Sequence, residues 1–457
     1  MLWEGVVDEE VRALWERWMA EADKLLEDEE LIDLVYKAQG ERHEHSTTRG
    51  RSQTPAEMAL RLLLLKHVRN WSFDTLEREV KMNLAYRDFT RIGLGKVPDA
   101  KTLARIAQAL GGEVIAKLHE RLVAMAQEKG AVRGRKMRVD TTVVETNIHY
   151  PTDSSMLGDG VRVMTRTMKK IAQRSEGKLK RKVRDRMRSV NKRVMAIATA
   201  SRHRGSEGEE KRKKEYQELL RMSRQILNDA KRVMVEIEGM SARRKKGLRA
   251  LGESLSTMAV RVRQVVKQTK ARIFDGLTQL PSKIVSVFEP HTEIIRKGKA
   301  SKPTEFGKLV QLQEAENQII THYQVFDERP SDRALLLAAV ETHERKLGRL
   351  PHLVTADAGY YSLAQERAVQ EKGVKWVAVP NRSTHSRERK QMEKSRWFKK
   401  AQRWRTGCEG RISILKRRHG LGRCRYRGQE GMKRWVGWGV LADNLINIGK
   451  VLPVARA

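Results

Sequence analysis

In the stretch RWRTGCEGRISILK, Arg405, Glu409 and Lys416 are separated by four and by seven residues. At about 100° of rotation per residue they leave a helix within about 40° of one another, on one face. A carboxylate between two cations on one face suits a surface that meets both a metal ion and a phosphate backbone. The common alternative for Arg405 and Glu409 is an i, i+4 surface ion pair. Two more carboxylates stand where a sheet would carry them. Asp140 lies inside the β-branched run RVDTTVVE, and a carboxylate on a strand covered on both faces is costly unless a cation pairs with it. Asp357 closes PHLVTAD just before Ala358-Gly359 turns the chain, at the carboxyl end of a strand, where open sheets place their ligands. Two such carboxylates in a basic protein point to a divalent cation facing phosphate, although a turn or cap is the commoner use of any single Asp.

The elements that would hold these residues follow from periodicity and punctuation. Residues 8 to 37 read as helical, and residues 55 to 127 as a string of short helices: Pro55 opens AEMALRLLLLKHVRNW, Ser72 is placed to cap FDTLEREV, and VPDAKTLARIAQAL starts at Pro-Asp. From Lys136 a strand of about eight residues runs through Asp140 to the Tyr150-Pro151 turn signal. Strand patterns then stop for more than a hundred residues. Apolar residues recur there at three- and four-residue spacings, as in Val161, Met164, Met168 and Ile171 or Leu248, Leu251, Leu255, Met258 and Val262, which predicts antiparallel helices with a narrow buried seam. Turns are expected at 204 to 208 and at 243 to 247. Beyond Pro281, GKLVQLQEA and QIITHYQVF form a hairpin across Glu316-Asn317. A helix capped by Ser331, the strand into Asp357, a helix opened by a Ser362/Gln365 capping box, the strand KWVAVPN and the Glu409 helix follow. VGWGVLADNLINIGKVL is expected as an amphipathic closing helix. The pattern implies α/β architecture, a mixed sheet covered by helices.

Charge narrows the partners. The 457 residues carry 93 Lys and Arg against 57 Asp and Glu, a formal net charge of +36, which suits nucleic acid or an anionic surface. Between Val161 and Leu280 the count is 34 basic to 12 acidic. A solvated face is the bland account of those helices; the scarcity of balancing carboxylates favours DNA. No apolar run approaches the roughly 18 to 20 residues of a membrane span. The acidic start MLWEGVVDEEV lacks the basic n-region of a secretory signal, so a cytoplasmic protein is expected. Cys408 and Cys424, in no C-x-x-C or His/Cys cluster, argue against structural zinc and a disulfide framework.

VDTTVVETNIHYPTDS, TADAGYYS and R-x3-E-x6-K, in that order, resemble the DDE transposases of bacterial insertion sequences, most nearly the Arg-Glu-Lys signature group with a helical domain ahead of a ribonuclease-H-like core. The similarity runs from about Thr54 to about Gly449. It implies that Asp140, Asp357 and Glu409 are the catalytic, metal-binding triad for Mg²⁺, with Mn²⁺ as the alternative ion. It further implies in-line attack on phosphodiesters by water and then by the 3′-hydroxyl, Arg405 and Lys416 holding DNA phosphates, and double-stranded DNA, as terminal inverted repeats and target, as partner. The domains implied are 1–135, helical and DNA-binding; 136–155 with 281–450, a ribonuclease-H-like catalytic core; and 156–280, a basic helical insertion. A homodimer or higher oligomer on DNA is expected, since two ends are processed together. The signature group places a Tyr three residues before the Arg, where this chain has Gln402. Residues 139 to 161 contain four acidic residues and no Lys or Arg, as expected if cations beside Asp140 would compete with a metal. Glu145, on the opposite face of the strand, and Asp153 and Asp159, in a Ser/Gly-rich loop, are set aside as ligands. His149 is read as a surface residue, Cys408 as packing and Trp404 as core. The rivals are a metal-dependent nuclease without strand transfer and a non-catalytic DNA-binding protein.

Overall fold

The computed structural model describes residues 9–41, 53–176, 179–180, 182–203, 205–296 and 303–452. The chain is mixed α/β, rich in helix, with one curled mixed sheet. Its contacts divide it into two compact units, 1–147 with 295–457, and 148–294. No helix among the described residues is long and apolar enough to cross a membrane.

In the first unit, after a helical stretch at 9–13, the helices ahead of the sheet include α1 (Arg17–Leu26), α2 (Glu29–Gly40), α3 (Ala56–Val68), α4 (Phe73–Met82), α5 (Leu84–Phe89), α6 (Ala100–Ala109) and α7 (Gly112–Glu128). Short side-chain caps start four of them: Asp28 accepts from Leu31 N–H, Ser72 from Thr75 N–H, Asn83 from Tyr86 N–H and Asp99 from Thr102 N–H. Helix α3 is buried nearly all round, Arg61, Lys66 and His67 included, so it lies inside the helical layer rather than on it.

The sheet begins with β1 (Lys136–Glu145) and continues, after the second unit, with β2 (Glu293–Ile295), β3 (Glu305–Glu314), β4 (Ile320–Val325), β5 (Leu353–Ala356) and β6 (Trp376–Ala378). Its order is β2-β3-β1-β5-β6, with β4 also paired to β3. Strand β1 is central, antiparallel to β3 and parallel to β5. The hairpin β3–β4 forms as expected, its turn taking left-handed backbone at Asn317 and Gln318. Beyond the four helices of the second unit, the chain of the first unit forms α12 (Leu336–Leu347), α13 (Leu363–Glu371), α14 (Arg387–Lys394), α15 (Arg396–Arg418) and α16 (Gly428–Val451).

Alternation along β1 separates two cores. Met137, Val139 and Val143 pack with Leu336, Ala339 and Val340 of α12 and Val369 of α13. Val144 packs on the other side with Leu415 of α15 and Met432, Trp435 and Val436 of α16. Trp438, Leu441, Leu445 and Ile448 of α16 join the core of the N-terminal helices. Helix α16 is therefore buried on nearly every side and is not the amphipathic helix expected from its sequence. Gly437 admits this crowding: a Cβ there would stand 2.5 Å from the Tyr323 hydroxyl and 2.6 Å from Ile115 Cγ2.

Two expected caps are replaced. Ser331 heads a 3-10 turn, Asp332–Ala334, and makes no capping bond, while α12 starts after Leu335. Ser362 precedes α13 without a side-chain cap, and the reciprocal half of the expected box is lost because Gln365 Oε1 accepts from Leu337 N–H across to α12 at 2.9 Å.

The second unit contains α8 (Asp153–Arg174), α9 (Met187–Ala200), α10 (Ser206–Glu238) and α11 (Ala242–Ile273) around one core that includes Val161, Met164, Met168, Leu219, Ile226, Leu255 and Val262. The apolar stripes read from the sequence line this core. Asp153 and Asp159 are not in a loop: Thr152 and Ser155 form a capping box, and both Asp residues lie in α8. The turn expected at 243–247 lies inside α11, the chain reversing earlier, at Gly239 to Ser241. Of the other expected turn, Arg204 lies outside the described residues and Gly205, at φ 113°, precedes α10.

Candidate active site

The parallel pairing of β1 with β5 sets the first two carboxylates. Val139 lies opposite Ala356, and one residue on, Asp140 and Asp357 leave neighbouring strands, which run about 4.8 Å apart. Each spends one oxygen locally: Asp140 Oδ1 accepts from Thr141 N–H and Asp357 Oδ1 from Ala358 N–H, both at 2.7 Å.

Helix α15 brings the third. It is seated by Gln402, whose Nε2 donates to the carbonyls of Ala378 (2.6 Å) and Ala356 (3.5 Å) at the ends of β6 and β5. It is also seated by Arg138, which pairs with Glu314 across the β1–β3 register, donates to the Trp404 carbonyl and lies 4.9 Å from the Trp404 ring centroid. Burial pushes the Glu314 carboxyl above its ordinary value, with Arg138 pulling it back. Gly407 makes this approach fit, since a Cβ there would meet Arg138 Nη1 at 2.4 Å.

Seated in this way, α15 turns Arg405 inward and Glu409 outward. The Arg405 side chain is 11% exposed and that of Glu409 62%. Arg405 Nη1 is 3.7 Å from Asp140 Oδ2 and Nη2 is 2.8 Å from Glu409 Oε1. Burial opposes the charge on Arg405, but the bond to Glu409 and the fields of Asp140, Glu409 and Asp357 outweigh it and raise its pKa. Asp140 and Glu409 thus face one guanidinium, and Asp357 adds to the field on it without pairing with it. Among the described residues no three His, Cys, Asp or Glu side chains are gathered tightly enough to hold a metal ion. Lys416 is half-buried on the same helix, about 10 Å along its axis from Glu409.

From Val139 to Val161 the chain carries no Lys or Arg, yet Arg405 brings positive charge to Asp140 from α15. The i, i+4 pairing of Arg405 with Glu409 is present, extended to a third partner that no local pattern specifies. Three neighbours escaped the sequence. Asp332 accepts from Thr141 Oγ1 at 3.4 Å. Buried Tyr360 has its phenol held well above its ordinary value by burial first, against the bond from Gln311, and then by Asp140 and Asp332. Gln402 was visible only as a departure from a signature. Of the residues set aside, Glu145 lies 3.8 Å from Arg423 and Asp159 2.6 Å from Arg162. Asp153 lies 2.7 Å from Arg272, His149 3.2 Å from the Ser155 hydroxyl, and Cys408 is buried.

Two family descriptions match the chain: Transposase domain (DUF772) over residues 15–109, and Transposase DDE domain over residues 282–445. The second match contains Asp357, Arg405, Glu409 and Lys416 and begins after Asp140. No curated protein and no solved structure matches the chain.

Proposed function

We propose that this chain, a DDE transposase of an insertion-sequence type, cleaves double-stranded DNA at the terminal inverted repeats of its element and joins the freed 3′ ends to target DNA, using Asp140, Asp357 and Glu409 as its catalytic carboxylates. The observation that supports this is that Asp140 and Glu409 face the single guanidinium of Arg405, while Asp357, just past the end of the strand paired with β1, adds to the field on it. In this reading residues 136–155 and 281–450 are a ribonuclease-H-like core, 1–135 a DNA-binding helical domain, and 156–280 an insertion.

The three carboxylates are hard oxygen donors, the kind Mg²⁺ or Mn²⁺ takes, though in this structure they are not gathered tightly enough to hold an ion. Asp140, Asp357 and Glu409 would hold the ions, with the Arg405 guanidinium standing in for part of that charge. When bound, divalent ions would supply a deprotonated nucleophile and stabilise the leaving oxygen. The protein's own part is positional. The β1–β5 register fixes the spacing of the two Asp residues, while Gln402 and Arg138 set the height of Glu409 over them. Exposed Glu409 lies where DNA would arrive. Arg405 and Lys416, on the same helix, place phosphates without reading bases. Processing two ends together calls for a dimer or larger assembly on DNA.

Incubating the protein and its Asp357→Asn variant with linear DNA carrying the element ends and Mg²⁺ tests this. Joined products from the wild type and none from the variant, with DNA binding retained, are expected. Cutting without joining would make it a nuclease, and the absence of Mg²⁺-dependent products would overturn the assignment.

A further inference from the structure

The four helices of the second unit do not share its charge evenly. Helix α10 carries eight basic and eight acidic residues. It neutralises itself through pairs such as Lys213–Glu209 at 3.3 Å, Arg221–Glu218 at 2.8 Å and Arg232–Asp229. Helix α11 carries ten basic residues and one acidic one. Its inward cations are satisfied: Arg272 Nε meets buried Asp153 at 2.7 Å, and Arg261 donates to the Val287 carbonyl at 2.8 Å. Arg249 meets Glu253, the lone acid, at 2.9 Å. Of the other outward cations, Lys246 stands apart near the start of the helix, and Arg263, Lys267 and Lys270 are exposed with no ion pair among the described residues.

Two ordinary accounts fall short. A cation in the last turn is favoured by the helix dipole, which covers Lys270 but not Arg263 or Lys267, because the effect fades beyond that turn. A solvated face needs no sign preference, and α10 shows what a balanced one looks like in the same bundle. The three cations are spaced by four and three residues, so they form one row about 10 Å long. Duplex DNA presents about one phosphate per 1.7 Å of axis, so each can reach a different phosphate. Between this row and Arg249 the same face carries the exposed Ser256, Val260 and Glu253, the last of them held by Arg249. No exposed amide or aromatic ring in the row could read a base edge.

We propose that the outer face of α11 is a sequence-independent duplex-DNA surface, holding the phosphate backbone through Arg263, Lys267 and Lys270. This deepens the proposed function, on which it rests for the choice of DNA over other polyanions.

The test uses the full chain, a duplex of arbitrary sequence and a salt titration. Arg263→Gln/Lys267→Gln/Lys270→Gln should lower the slope of log affinity against log salt by about 2.7, and weaken binding on the order of 100-fold at 150 mM salt. Lys211→Gln/Lys214→Gln/Lys231→Gln, which removes the same charge from exposed positions of α10, should leave the slope within error of wild type. Arg263→Lys/Lys267→Arg/Lys270→Arg should also keep it. Equal losses in the α10 and α11 variants would overturn the surface by making the effect one of net charge. An unchanged α11 slope would do the same, as would loss of binding to phosphatidylserine vesicles without loss on DNA. Binding needs no chemistry, so wild-type protein that binds through α11 but never joins ends would refute the transposase reading and leave this surface standing.

Discussion

Replacing Gly407 by Ala should destabilise the protein, although glycine inside a helix ordinarily costs about 1 kcal/mol relative to Ala. The new Cβ would lie 2.4 Å from Arg138 Nη1, 3.1 Å from Cζ and 3.2 Å from Nη2. A long side chain normally yields cheaply, but Arg138 is buried, paired with Glu314 and bonded to the Trp404 carbonyl. Overpacking of this kind costs about 1 to 3 kcal/mol, and a guanidinium pushed off Glu314 would leave a buried charge unpaired, a loss of about 3 to 5 kcal/mol. With the propensity gain of about 1 kcal/mol counted, the net expectation is a loss of up to about 2 kcal/mol if Arg138 yields while keeping Glu314, and about 2 to 4 kcal/mol if the pair breaks. Gly410 in the same helix has nothing within 4 Å of its would-be Cβ, so Gly410→Ala should stabilise by up to about 1 kcal/mol. Denaturant midpoints of the two variants and wild type give both signs in one experiment, and Mg²⁺-dependent cleavage should fall in Gly407→Ala alone, because α15 also carries Glu409. A Gly407→Ala protein stabilised like Gly410→Ala would show that Arg138 does not seat the helix.

Gln402→Leu strips the donor from two carbonyls at the ends of β5 and β6, so it should cost about 1 to 3 kcal/mol and reduce DNA cleavage more than DNA binding; equal losses in both would refute a positioning role. Lys66 is buried among the rings of Phe73, Tyr426 and Trp435, at 4.8 to 5.2 Å. Burial first, then Arg425, lowers its pKa to about 7. The unfolded chain then binds more protons than the folded one between about pH 7 and the ordinary 10.5, so stability should rise over that window by up to about 1.4 kcal/mol per pH unit. Lys66→Met should remove the rise and stabilise the protein at pH 7, less than the shift alone implies because the rings attract the ammonium. An unchanged slope, read from unfolding at several pH values, would count against a neutral folded Lys66.

The legible parts of the site were those written in local periods. The strand through Asp140, the strand ending at Asp357 and the single face shared by Arg405 and Glu409 each follow from two- or 3.6-residue repeats within a dozen residues. What stayed hidden depends on partners far away in the chain. Gln365 leaves its expected cap because Leu337 N–H, 28 residues earlier, offers a bond. Arg405 finds Asp140, and Gln402 finds the strand ends, only after the sheet has assembled. The reversal before α11 was misplaced because Arg-Arg-Lys-Lys-Gly reads as a breaker, whereas Gly239 to Ser241 already ends α10. Helix α16 looked amphipathic because nothing near it signals a second layer of helices on its polar side.

That second layer gives the protein an order of completion. Ile448, Leu445, Leu441 and Trp438 close the core that begins with the helices of residues 17–68, so the earliest segments wait for one of the latest. At about 5 to 20 residues per second, a ribosome takes about 20 to 70 s to travel from Val68 to Gly428. Throughout that interval Leu60, Leu63 and their neighbours lack their cover, and a nascent chain depends on chaperones or on its own transient collapse to keep them from sticking to other molecules.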